Sequence, residues 1–97
     1  MGYRLSTSAD LDLDYIYDFG IIEFGLLAAN SYLDELIDSF NFLAENPRIC
    51  RVRDEIRPLI RIRPHGSHLV FYEVDDANFV LILRIRHGRE NWYNDNA

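Results

Sequence analysis

Phe79-Val80-Leu81-Ile82-Leu83-Arg84-Ile85-Arg86-His87-Gly88-Arg89 is the stretch on which the fold turns. Five apolar residues open it, and charge then enters at every second position until Gly88. A run this short, rich in branched side chains and alternating at its end, is a strand rather than a helix. Period two puts Phe79, Leu81, Leu83 and Ile85 on one face, and Val80, Ile82, Arg84 and Arg86 on the other.

Two more strands precede it. His68 to Val74 is rich in branched and aromatic residues, and Asp75-Asp76-Ala77-Asn78 is a turn. Ile56 to Arg63 sets Ile56, Leu59 or Ile60, and Ile62 against Arg57, Arg61 and Arg63, with an irregular start at Pro58. Pro64-His65-Gly66-Ser67 links it to the next strand. Connections this short predict an antiparallel meander. Pro47 to Glu55 is a polar connector.

Upstream the period changes to that of a helix. Ala9, Leu13, Ile16, Gly20 and Phe24 share one face, with Ser8 as the expected N-cap. Asp10, Asp14 and Asp18 form a separate acidic stripe that should face water or attract a basic partner. Phe24-Gly25 breaks the pattern. A second helix runs from about Leu26 to Glu45, with Ala29, Leu33, Leu36, Ile37, Phe40, Leu43 and Ala44 as its apolar face. Asn46-Pro47 ends it. With Tyr3 to Ser6 as a first strand, the order is β-α-α-β-β-β: an α+β domain, residues 1–97, in which a helical hairpin packs on a small, mainly antiparallel sheet. The helices are expected to bury Leu81, Leu83 and Ile85, leaving Arg84, Arg86, Arg61 and Arg63 on the opposite face. The polar tail from Glu90 is expected to fray, with Trp92 and Tyr93 able to dock.

Charge is uneven. Residues 1–47 hold one arginine and nine acids, a balance of −8; residues 48–97 hold nine arginines and seven acids, a balance of +2, which together give the net −6. There is no lysine. Arginine presents a planar fork of donors suited to carboxylate and phosphate. The two halves can pair with each other, or present the arginines to a partner. Cys50 is the one cysteine, so no internal disulfide forms, and it reads as a structural thiol in a reduced, cytoplasmic protein. No apolar run is long enough to span a membrane.

No glycine loop for nucleotides is present, and His65 and His68 across a tight turn make a poor metal site. No cofactor, metal or small-molecule substrate is expected. The arginine- and histidine-rich end remains. Arg61, Arg84, Arg86, His87 and Tyr93 have side chains able to hold an RNA backbone and move protons at a phosphodiester, and equally able to pair with acids of the same fold.

In order and spacing the chain resembles the ParE branch of the RelE/ParE toxin superfamily of type II toxin–antitoxin systems. The resemblance runs from Tyr3-Arg4-Leu5-Ser6 and Ala9 through Asp12-Leu13, Ile16 and Phe24-Gly25 to Tyr32, Leu36, Leu43-Ala44 and Pro47. It is densest over Glu55-Ile56-Arg57-Pro58, Arg61, Gly66 to Tyr72, and Leu83 to Arg89. It implies the same β-α-α-β-β-β fold and two partners, a cognate antitoxin and DNA gyrase. RelE members cleave mRNA on the ribosome, whereas Ile82 to Gly88 is closer to the ParE ending. The expected function is therefore a non-enzymatic toxin that inhibits gyrase, with Arg61, Arg84, Arg86, His87 and Arg89 as its partner-binding surface. Two alternatives stand beside it: an mRNA endoribonuclease using Arg61, Arg84 and His87, and a non-toxic relative that only binds.

Overall fold

The computed structural model describes residues 2–89. The tail with Trp92 and Tyr93 lies outside the described residues. The elements are β1 (Tyr3–Leu5), α1 (Thr7–Phe24), α2 (Leu26–Glu45), β2 (Arg61–His65), β3 (His68–Val74) and β4 (Val80–His87). The sheet order is β1-β4-β3-β2. The last three strands form the expected antiparallel meander, and β1 adds to β4 in parallel. No described helix is long and apolar enough to cross a membrane.

The N-cap of α1 is Ser6, not Ser8. Its Oγ accepts from the Ala9 amide at 3.0 Å, the third residue of the helix. The same hydroxyl donates to the Leu83 carbonyl at 2.8 Å, and the Ser6 amide donates to the Ile82 carbonyl at 2.8 Å. Ser6 therefore starts the helix while still held by β4, a tertiary contact that local sequence does not show. One residue, Gly25, joins the helices. Its φ of 93° and ψ of 164° lie where a side chain is strained, so glycine makes this hairpin possible.

The main core lies between the hairpin and the sheet. Ala9, Leu36, Phe40, Leu43, Val70, Tyr72, Val80, Ile82 and Ile85 form it, with Leu13 and Ile16 packed alongside. Of the face expected for α2, Ala29, Leu36, Phe40, Leu43 and Ala44 are buried, with Ser39 added, while Leu33 and Ile37 are half-buried. Phe24, expected on the core face of α1, is exposed at the hairpin tip.

The faces of β4 differ from simple alternation. Phe71 pairs with Arg84 and Tyr72 with Ile82, so Leu83 is the extra residue of a β-bulge. Val80 and Ile82 face the helices before the bulge, and Ile85 does so after it. Without the bulge, unbroken alternation from Val80 and Ile82 would carry Arg84 and Arg86 into the core. The bulge substitutes Ile85 for them. Leu83 instead joins Ile60, Ile62, Leu69 and Phe71 in a second apolar cluster, which Ile56 helps to cover.

The expected arginine face is also revised. Arg61 and Arg63 stand opposite Tyr72 and Val70, both in the helix-facing core, and so lie on that side of β2. Arg63 Nε donates to Ser39 Oγ at 3.2 Å, and its guanidinium lies 4.5 Å from the Phe42 ring centre. Arg61 Nη1 donates to the Cys50 carbonyl. Strand β2 begins at Arg61 rather than Ile56, because Arg57-Pro58-Leu59-Ile60 is a turn closed by the Ile60 amide on the Arg57 carbonyl at 3.2 Å.

Candidate functional site

Beyond β1 the flank of β4 meets no further strand among the described residues, and α1 serves it instead. The Asp12 carboxylate accepts from Arg84 Nε at 2.7 Å, from Arg84 Nη2 at 3.1 Å and from the Ile85 amide at 2.9 Å. This clamp fixes the end of β4 against α1. It also sets one border of a half-open groove of about 700 Å³ between the hairpin and the sheet. Tyr15, Ile16, Phe19 and Phe24 of α1, with Ala28 and Leu33 of α2, supply its apolar wall. His68, Arg84, Arg86 and His87 at the end of the sheet line its other side.

Tyr32 anchors the inner end. Its hydroxyl oxygen is 2.6 Å from His68 Nδ1 and donates to the His65 carbonyl at 3.2 Å. The His68 ring lies edge-on to His87 at 5.5 Å, and His65 stands edge-on to Tyr32 at the same distance. Tyr32 thus touches His65 and His68, and His68 in turn touches His87. Gly66 is required there, since a Cβ on it would come within 2.7 Å of the Tyr32 oxygen. Among the described residues no group of three or more His, Cys, Asp or Glu is placed to hold a metal ion.

Burial raises the Tyr32 phenol above its usual range, and burial is the first cause for Tyr72 as well, whose hydroxyl donates to the Pro47 carbonyl. Both pKa values are higher folded than unfolded. Their contribution to stability is therefore present below about pH 10 and lost as pH rises through the folded values. Urea melts at increasing pH are expected to show the midpoint falling above pH about 10, with a shallower fall in Tyr72→Phe. Equal slopes in the two proteins would contradict this.

Of the residues expected at the partner surface, the structure brings together Arg84, Arg86 and His87. Arg89 follows the Gly88 turn; its amide donates to His87 Nδ1 at 3.1 Å, and its side chain is exposed. Arg61 lines no part of the groove. Sequence reading missed Asp12, Tyr32, His68 and the aromatic wall. The wall had a signal: Leu11, Tyr15, Phe19 and Ile22 repeat at helical spacing as a second apolar stripe, all exposed, with the Tyr15 and Phe19 rings stacked at 6.1 Å. The Tyr32–His68 pair, far apart in the chain, had none.

A helical hairpin over one face of this four-stranded mixed sheet, leaving an apolar groove lined on its other side by arginine and histidine, defines a small α+β domain of the RelE/ParE toxin kind. The chain belongs to the ParE toxin family of type II toxin–antitoxin systems, whose family model matches residues 3–92. It is 39% identical over 87 residues to toxin ParE1 of Mycobacterium tuberculosis, covering 90% of this chain and 89% of that one. It is 35% identical to toxin ParE1 of Caulobacter vibrioides over 89 residues, covering 92% and 91%. Among solved structures, a chain of the chromosomal ParDE system of P. aeruginosa superimposes with a TM-score of 0.76 at 21% identity, covering 90% of this chain and 95% of that one. A chain of the RelBE2 toxin–antitoxin complex of Mycobacterium tuberculosis gives 0.68 at 20%, covering 89% and 95%. At these identities the two structures speak for the fold.

Proposed function

We propose that this ParE-family chain acts by inhibiting DNA gyrase without catalysis, and that a cognate antitoxin neutralises it by laying an apolar helix in the groove. The groove carries this reading. An apolar helix wall facing arginine and histidine suits an amphipathic segment with carboxylates along one side. Arg84, Arg86 and His87 would meet those carboxylates, with Arg89 at the rim. Both structural relatives come from toxin–antitoxin systems, which supports an antitoxin partner.

The ribonuclease reading draws on Arg61, Arg84 and His87 acting together. Arg61 lies outside the groove, which counts against that set. Charge-assisted donors beside an apolar wall support the binding reading. The deciding experiment adds purified protein to a gyrase supercoiling reaction and, separately, to ribosomes translating mRNA. Supercoiling should fall with dose and be restored by antitoxin, while mRNA stays intact. Unchanged supercoiling with cut mRNA would reverse the reading.

A further inference from the structure

The turn Arg57-Pro58-Leu59-Ile60 presents a leucine where the backbone is least suited to one. Leu59 has φ 66°. With proline before it and the Ile60 amide closing on the Arg57 carbonyl, Leu59 occupies the third position of a type II turn, where glycine or asparagine fits without strain. The residue is 67% exposed. The fold therefore carries both backbone strain and an exposed apolar side chain, and gains no burial from either. Strain held in place by surrounding structure is characteristic of functional contacts.

The surroundings do hold it. The Leu59 amide donates to Asp54 Oδ1 at 2.9 Å, the Arg53 amide donates to the Ile60 carbonyl at 2.6 Å, and Val52 bridges Arg61. Ile56 packs on the sheet below. Arg53 Nε and Arg51 Nη2 both donate to Glu55, whose carboxyl is held down to about 2, first by the Arg53 hydrogen bond. Leu59 is thus a knob on a braced loop. The loop is basic: Arg48, Arg51, Arg53 and Arg57 against Asp54 and Glu55 over residues 48–59. None of these residues lines the groove. The groove reaches Ser67 and His68, just beyond the His65 end of β2, and the turn enters β2 at Arg61, so the strand, about 15 Å long at 3.4 Å per residue, separates them.

We propose that the Pro58-Leu59 turn is the contact through which this chain grips its protein target, Leu59 entering an apolar socket whose rim carries carboxylates. This rests on the reading of the chain as a toxin that acts on a protein, and assigns target contact to a surface apart from the groove. A protein is favoured over nucleic acid because the protruding group is apolar, and a carboxylate rim suits a loop that sets four arginines against two acids. A central apolar anchor with a polar rim is the usual form of a protein hot spot.

The test compares wild type with Leu59→Gly, Leu59→Asn and Leu59→Met. Glycine and asparagine suit the left-handed backbone and remove the apolar group; methionine keeps it. Each is assayed for thermal unfolding, antitoxin affinity, growth arrest on induction, and binding to a short DNA duplex. The Gly and Asn variants should keep the wild-type unfolding midpoint and antitoxin affinity, yet need roughly tenfold more protein for the same growth arrest. The Met variant should act as wild type does. Full growth arrest by the Gly and Asn variants overturns the proposal while leaving the toxin reading intact. A large fall in their unfolding midpoint makes Leu59 structural and overturns it too. Loss of DNA binding in parallel with growth arrest would make the target nucleic acid. Wild-type protein that arrests nothing removes the toxin reading, and this inference with it.

Discussion

Asp12→Ala is expected to lower the unfolding midpoint by roughly 10–20 °C, the largest loss anticipated from a single polar side chain in this protein. The carboxylate takes three hydrogen bonds, two from Arg84 and one from the Ile85 amide. Its side chain is 17% exposed and that of Arg84 is 43% exposed, so the pair is shielded on one side only and the full cost of a buried ion pair does not apply. Alanine leaves the Ile85 amide without its acceptor and Arg84 without its counter-charge, at about 2–3 kcal/mol together. For a domain this size each kcal/mol corresponds to about 4–8 °C. Asp12→Asn should fall between, because the amide oxygen can still accept from Ile85. Circular dichroism melts of the two variants check this. A midpoint for Asp12→Ala within about 3 °C of wild type, under 1 kcal/mol, would mean that the clamp does not hold β4 to α1.

Phe19→Asp is expected to weaken antitoxin binding about 100-fold, or about 2.7 kcal/mol. Phe19 stands in the apolar wall of the groove and stacks on Tyr15. It is 48% exposed and outside the main core, so the fold should tolerate the change. An aspartate there removes apolar contact area and puts a second carboxylate on the wall that already holds Asp12. A partner carrying its own carboxylates toward Arg84 and Arg86 would then meet repulsion as well as lost burial. Isothermal titration with the antitoxin should show the fall while the unfolding midpoint stays near that of wild type. Unchanged affinity would place the antitoxin elsewhere.

Much of the fold was legible because its signals are local. The change from helical to strand period, the Asn46-Pro47 stop and the turns at Gly66 and Asp75 yielded the element order, and Leu36, Phe40 and Leu43 marked the buried face of α2. The errors came where a distant contact overrides a local rule. Ser8 has the side chain of a cap, but Ser6 is the residue that β4 holds. Alternation along β4 is broken at Leu83 by a bulge that period counting cannot register. Arg61 and Arg63 read as solvent-facing charges, yet one reaches a loop carbonyl and the other lies over Phe42 beside Ser39.

The sequence by itself determined the α+β order, the helical hairpin, the meander and the gathering of basic residues at the end of β4, since each depends on period, turn chemistry and composition. Only the tertiary structure decided what those residues face. Asp12 claims Arg84, the bulge turns Ile85 inward, Tyr32 joins His65 to His68, and Leu59 is held out on a left-handed turn. These outcomes come from contacts between residues far apart in the chain, formed once the hairpin has folded onto the sheet.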